Sequence, residues 1–382
     1  MQRLRLPFVL GLAGVIAATA AVSAQDAQVK QRHLVVPHDV LVQIERLLDE
    51  TVTRDLARQI SRDVSQSMSE FTRRFGRLPF LDAADQQDFK AQAVDKETHK
   101  LAIGATGALE LKNVVGDITV KAGSGRDATV EIVRTSRGRT DADAKLGLER
   151  VKVDVVTRGD RSSVTTVYPN EQQRGRPAYS VSTTYVVSMP AGARLEAHSI
   201  AGNIRVAGVR GDIQADTISG TLDISNAARI TNARTVNGKL TLTGIDSDGA
   251  VECGTMNGTV VLTDVKARRL NVNVISGDIV AKNIQVGGAD VGSMSGDIDF
   301  SGPVTAAGRY AFKTHSGEIR LMLAGGYEFE GRSFSGDVRG EPGLSLTRST
   351  GMREITRGTI GGGGAFVEAT TFSGSVTVGR TK

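Results

Sequence analysis

The chain has no tryptophan, one cysteine and only 4% aromatic residues, against 44 glycines in 382 residues. Cys253, being alone, cannot close an internal disulfide, so core packing and backbone hydrogen bonds must hold the fold. His33, His38, His99, His198 and His315 are scattered, without HExxH or a nearby cysteine, and give no zinc set of ordinary spacing. After Val22 no run approaches the ~20 apolar residues of a membrane span. Small side chains, many turns and few large rings suit a thin stacked core better than a globular enzyme pocket.

Residues 1–24 read as a signal peptide: Arg3 and Arg5, an apolar run from Phe8 to Val22, and the small-residue site Val22-Ser23-Ala24. No cysteine follows the cleavage point, so a lipid anchor is not expected, and the mature chain should be exported and soluble. Without the two leader arginines the formal charge falls from +5 to +3. That is too small and too dispersed for a nucleic-acid footprint.

What the chain does have is a repeat. VISGDIVA is followed by SMSGDIDF, and the glycines continue as Gly202, Gly220, Gly238, Gly258, Gly277, Gly296, Gly317, Gly336 and Gly374, 18 to 21 residues apart with a last interval of 38. Two residues before them stand Ile218, Val236, Met256, Ile275, Met294, Phe334 and Phe372; two after stand Leu222, Leu240, Val260, Ile279, Ile298, Ile319 and Val376. This is period-two strand patterning on both sides of a turn. A half-period copy at Gly211 puts more than one strand in each coil. The fold expected is mainly β, a parallel β-helix (solenoid) of ~19-residue coils stacked ~4.8 Å apart, roughly 45 Å long. A β-propeller would need ~40 residues per blade.

Residues 25–99 read as a helical segment and linker. Leu41, Ile44, Leu48, Val52, Leu56, Ile60, Val64 and Met68 make one apolar stripe on a long helix from Asp39 to Phe71, packed on its own protein or on a partner, with helix-mediated self-association a possibility. The polar stretch after Pro79 is expected to be a linker ending near Lys100, so that a chain beginning there stays folded. Residues 100–193 read as a first rung, LELKNVVGDITV around Gly116, and a small α/β insertion. In the insertion, strands are expected at Ala128–Val133, Val151–Val156, Ser163–Val167 and Ser180–Ser188, with a helix at Asp141–Arg150. Residues 194–382 read as continuous solenoid, interrupted from Glu341 to Gly364 and closed by a final rung, AFVEATTFSGSVTV.

Those segments, with YVVSMPAGARLEAHSIAGNIRVAGVRGDI and IGGGGAFVEATTFSGSVTV, resemble the exported "putative adhesin" family of uncharacterised SGD-type β-strand-repeat proteins over roughly Leu101 to Arg380. The resemblance implies a right-handed β-helix. It supplies no catalytic residues.

The slot after each glycine holds Asp117, Asp212, Asp278, Asp297, Glu318 and Asp337, but also Asn203, Thr221, Lys239, Thr259 and Ser375. Calcium wants six to eight oxygens, and Lys239 interrupts the row, so turn formation explains the slot better than an ion ladder; a local site at Asp278 and Asp297 is the alternative. A sugar-cleaving site needs paired carboxylates beside an aromatic platform, and the solenoid tyrosines are only Tyr310 and Tyr327. His315 stands where other rungs have Ile, Met or Phe, as a core-edge histidine. Cys253 stands in register with Ala215, Ala233, Val272, Val291 and Phe312, as a buried thiol. No catalytic, cofactor or metal residue is assigned. The functional expectation is a noncatalytic, exported, adhesin-like or envelope-associated module, periplasmic or at the cell surface, binding a protein or polysaccharide ligand. The alternatives are a polysaccharide-active β-helix enzyme and an envelope-stress component recruiting a partner through its N-terminal helix.

Overall fold

The computed structural model describes residues 89–169, 178–342, 344–349 and 355–381. The leader and the helix expected at Asp39–Phe71 lie outside the described residues. The described chain is mainly β and solenoid-like, one continuous sheet of 25 strands with one helix.

Each repeat glycine joins two strands. The strands before the glycines pair in parallel, rung on rung, as one ladder; those after them form a second. Registers follow the repeat: Leu222 lies between Ile204 and Leu240, and Ile279 between Val260 and Ile298. These side chains are 0 to 1% exposed, so the positions two and four after the glycines from Gly202 to Gly317, and after Gly374, line one continuous core. Cys253 falls between Ala233 and Val272 inside it, and burial pushes its thiol pKa up to about 12.

A second column, six residues after the glycine, runs Gly208, Asn226, Gly244, Asp264 and Asn283, all at φ between 52° and 77°. Gly, Asn and Asp are the residues that tolerate this left-handed conformation. It turns the chain out of the second strand and back toward the core.

The insertion after the first rung joins the solenoid and caps it. Arg161–Val167 pairs with Ala108–Val115 and Tyr179–Pro190 with Ile118–Gly123, both in parallel, and antiparallel strands then end each ladder. The helix Asp141–Arg150 begins with a capping box between Thr140 and Asp143 and packs on the cap strands. Arg134 donates to the carbonyls of Leu148 and Val151 and pairs with Asp95 and Glu97.

Those acids correct one expectation. The linker does not reach Lys100, because Ala91–Leu101 is a strand paired along its whole length with Ala128–Gly138. Its outward residues are polar or charged except for Val94, so it reads as linker although it forms the sheet's edge. A chain beginning at Lys100 would lose that strand.

The other end also departs from the expected order. The final rung is last in sequence but not in the stack: Tyr310 pairs with Val367, which pairs in turn with Phe329. Residues 365–380 therefore lie between the rungs of Gly317 and Gly336. The stretch expected to break the pattern explains how. Thr347–Ser349 and Ile355–Ile360 form an antiparallel pair that continues the ladder outward from Tyr327–Ser335. Gly361 to Gly364, all at positive φ, then carry the chain back over Gly325 and Gly326. A Cβ on Gly326 would lie 2.3 Å from the carbonyl of Gly363, so only bare backbone can cross there.

Glu330 latches this outer pair, accepting from Arg332 and from Arg357 Nε at 3.0 Å. Burial alone would raise its pKa, but the bonds from Arg357 and Arg332 together outweigh it and hold the carboxyl below its usual value. A depressed folded pKa adds stability above the unfolded value of about 4.3 and loses it as pH falls through the folded value. Amide protection factors in residues 355–360 should therefore fall in acid more steeply than elsewhere in the sheet. Glu330→Gln should cost about 1 kcal/mol at neutral pH and flatten that dependence; an unchanged profile would show that the latch carries no load.

Candidate functional site

The slot after the glycine is a hydrogen-bond ladder running between rungs. Asp117 Oδ1 accepts from the backbone N–H of Asn203 at 2.9 Å, and Asn203 Oδ1 from that of Thr221 at 2.9 Å. Asp278 Oδ1 accepts from Asp297 N–H at 3.0 Å, and Asp297 Oδ1 from Glu318 N–H at 2.8 Å. Sequence reasoning expected these side chains to bond within their own turns; they bond to the next rung instead. Glu318 and Asp337 keep the slot and face Arg320 and Arg339. Asp212 does not belong to it. It lies at another corner, among Arg194 at 3.2 Å and Arg229 at 3.8 Å, with Asp248 beyond at 3.1 Å from Arg229. Arg229 holds Asp248 below the usual carboxylate pKa. Among the described residues no three His, Cys, Asp or Glu side chains converge as a metal set.

A buried hydroxyl column stands three residues before the glycine. Thr217, Thr235, Thr314 and Thr371 donate to the carbonyls of Gly202, Gly220, Gly296 and Gly317 at 3.1 to 3.2 Å. Asn113 fills this position in the first rung and bonds to Gly116 O, Thr183 O and Thr166 Oγ1. The recurrent Thr and Ser at this offset were visible in the sequence, but period-two counting passed over them because they are polar and inside.

The apolar residues two before the glycine point the other way. Ile218, Val236, Met256, Ile275, Met294 and Phe372 are half-buried on the outer surface, and Phe334 is 62% exposed. His315 is exposed in the same row, so it is no core-edge residue. Its ring stacks on Phe372 at 4.9 Å, and Phe372 stacks on Phe334 at 4.7 Å. Tyr310 and Tyr327 are fully buried and offer no platform. The exposed rings belong instead to the row in which the sequence pattern put His315 at the core edge. Large apolar side chains aligned on a surface mark a contact face, and this row is the candidate site.

The two neighbouring slots around Gly277 separate core from ladder by mutation. Ile279→Asp should bury an unpaired carboxylate and lower stability by ~3 kcal/mol or more. Asp278→Ala removes the acceptor for Asp297 N–H and should cost about 1 kcal/mol, whereas Asp278→Asn keeps it and should stay within about 0.5 kcal/mol. Thermal melts of the three variants check the ranking. A larger loss from Asp278→Asn than from Ile279→Asp would mean that the aspartates bind something the fold needs.

The chain is similar to solved structures that include a "putative lipid binding protein" from Parabacteroides distasonis ATCC 8503, at 14% identity over 75% of this chain and 97% of that one, TM-score 0.42. It is also similar to a "putative adhesin" from Bacteroides fragilis NCTC 9343, at 12% identity over 75% and 97%, TM-score 0.35. A "putative adhesin" from Parabacteroides merdae ATCC 43184 gives 12% over 75% and 97%, TM-score 0.30. No curated protein matches the chain. The Toastrack DUF4097 family model matches residues 107–379, and the chain belongs to that family.

Proposed function

We propose that this protein is a noncatalytic, exported, adhesin-like or envelope-associated binding module. In this reading its coils are right-handed, its leader directs it out of the cytoplasm, and its ligand is a protein or polysaccharide of the envelope or cell surface. The observation that carries the reading is the outer row from Ile218 to Phe334. The same position is buried in the first two rungs, at Val114 and Ile200, but from Ile218 on it lies on the outer surface, and rung after rung still supplies an apolar side chain or ring there, ending in the stack of His315, Phe372 and Phe334. The ladder carboxylates Asp117, Asp278 and Asp297 are engaged with backbone N–H groups.

The test is to present the protein with acidic and neutral polysaccharides and with solubilised envelope proteins, measuring binding while following new reducing ends and unsaturated products. Saturable binding that is weakened about tenfold or more by Phe334→Ala and Phe372→Ala together, without turnover, is the expected result. Turnover abolished by changing one carboxylate would make the protein a polysaccharide-active enzyme and overturn the proposal.

A further inference from the structure

From the rung of Gly220 on, the outer face of the ladder that precedes the glycines consists of three columns, two, four and six residues before each glycine; in the two rungs before it the first of these positions, Val114 and Ile200, is buried. In stack order the first is Ile218, Val236, Met256, Ile275, Met294, His315, Phe372, Phe334, with the last three rings in contact along the row. The second is Asp216, Arg234, Gly254, Asn273, Gly292, Lys313, Thr370, Arg332; the third is Gln214, Asn232, Glu252, Asn271, Asp290, Ala311, Glu368, Glu330. At ~4.8 Å per rung the apolar row is ~34 Å long, and three columns of alternating strand residues make the face ~20 Å wide. That is roughly 700 Å² per partner, close to the ~800 Å² that a specific interface buries on each side.

We propose that this face pairs with the same face of a second copy, the two stacks running antiparallel about a two-fold axis between the rungs of Ile275 and Met294. Three properties select that occupant. Only a second copy repeats at the same spacing, so every rung meets a rung. Reversing one stack also matches sizes, because the row is smallest at one end and largest at the other: Ile218 meets Phe334, Val236 meets Phe372, Met256 meets His315, and Ile275 meets Met294. The charges fit as well. In this register Asp216 faces Arg332, Arg234 faces Thr370, Lys313 faces Gly254, and the third column sets Gln214, Asn232, Ala311 and Asn271 against Glu330, Glu368, Glu252 and Asp290. No like charges oppose one another. A parallel pair, about a two-fold along the stack, reverses the column order and, centred on the second column, would set Asp216, Arg234, Lys313 and Arg332 each against its own copy, and like charges facing each other disfavour a wrong pairing. An isologous contact of this kind closes at two subunits. The inference goes beyond the proposed function and holds whatever ligand the module binds.

The experiment is to measure the mass of the full-length chain in solution across a concentration series, together with four variants. The native chain should dimerise. Ile275→Glu sits beside the two-fold axis on the outer surface and should weaken the dimer at least about tenfold, leaving the thermal melt near that of the native chain. Asp216→Arg and Arg332→Asp should each weaken it, and the double exchange should restore it, because only the antiparallel register brings these two positions together. If Ile275→Glu fails to fold, the charge exchange still decides. A monomer at every concentration overturns the proposal, as does a dimer indifferent to Ile275→Glu or not restored by the double exchange. A monomer whose flotation with phosphatidylcholine–phosphatidylglycerol vesicles is abolished by Ile275→Glu would make the face a lipid surface instead, and would equally overturn it.

Discussion

The whole stack depends on one contact, glycine on glycine. A Cβ on Gly277 would lie 2.1 Å from the carbonyl oxygen of Gly258, and one on Gly296 2.1 Å from that of Gly277. Their φ values, 137° and 148°, are also ones that other residues rarely adopt. Both demands come from one geometry: the chain bends sharply between its two strands, and successive bends must nest at the rung spacing. The contact fixes the neighbours. With the glycine bare, the residue before it can accept from the glycine N–H of the preceding rung, as Ser295 O does from Gly277 N–H at 2.8 Å. The Thr three residues before it can then reach the preceding glycine carbonyl. The offsets of core, hydroxyl and ladder positions all follow from the bend.

A stack so uniform has no internal reason to stop, and its ends need different chemistry. An open parallel rung offers a row of unpaired backbone groups. At one end the insertion supplies antiparallel strands, polar on the outside, with a capped helix clamped on by Arg134. At the other end the last rung is threaded inside, so the chain terminus is held by neighbours on both sides. The outermost pair, Thr347–Ser349 with Ile355–Ile360, does not follow the repeat. The irregular segments are irregular because they finish the solenoid.

Much of this architecture was legible in the sequence. The glycine interval, the apolar offsets after it, the place of Cys253 and the helix at Asp141–Arg150 all rest on local rules, and local rules are what a sequence displays. Four things were not legible, for physical reasons. Ala91–Leu101 looks like linker because an edge strand facing water is selected to be polar. The stack order at the end was hidden because period and offset are the same whether Gly374 follows Gly336 or precedes it. The hydroxyl column was missed because polar residues inside a solenoid are satisfied by carbonyls in another rung. The row from Ile218 to Phe334 was read only as strand alternation, with His315 at the core edge, because period two does not say which of two apolar sets faces out.

That last misreading bears most on function. In a rung the core positions are fixed by burial, the bend by its glycine, and the following slot by its bond to the next rung. Apart from Glu330 and Arg332, which latch the outermost pair, the outer columns are free of these constraints, so the pattern they carry reflects demands from outside the rung. Four and six residues before the glycine the columns vary among Gly, Ala, Asn, Gln, Thr, Asp, Glu, Lys and Arg, as solvent-facing positions do. Two residues before it they do not. From Ile218 on, an apolar side chain there is only half-buried, and exposed at Phe334, and a continuous strip of this kind invites unwanted association. Its recurrence in seven of eight rungs, with the exception His315 stacked into the same row, is therefore best accounted for by a surface that is covered when the protein works.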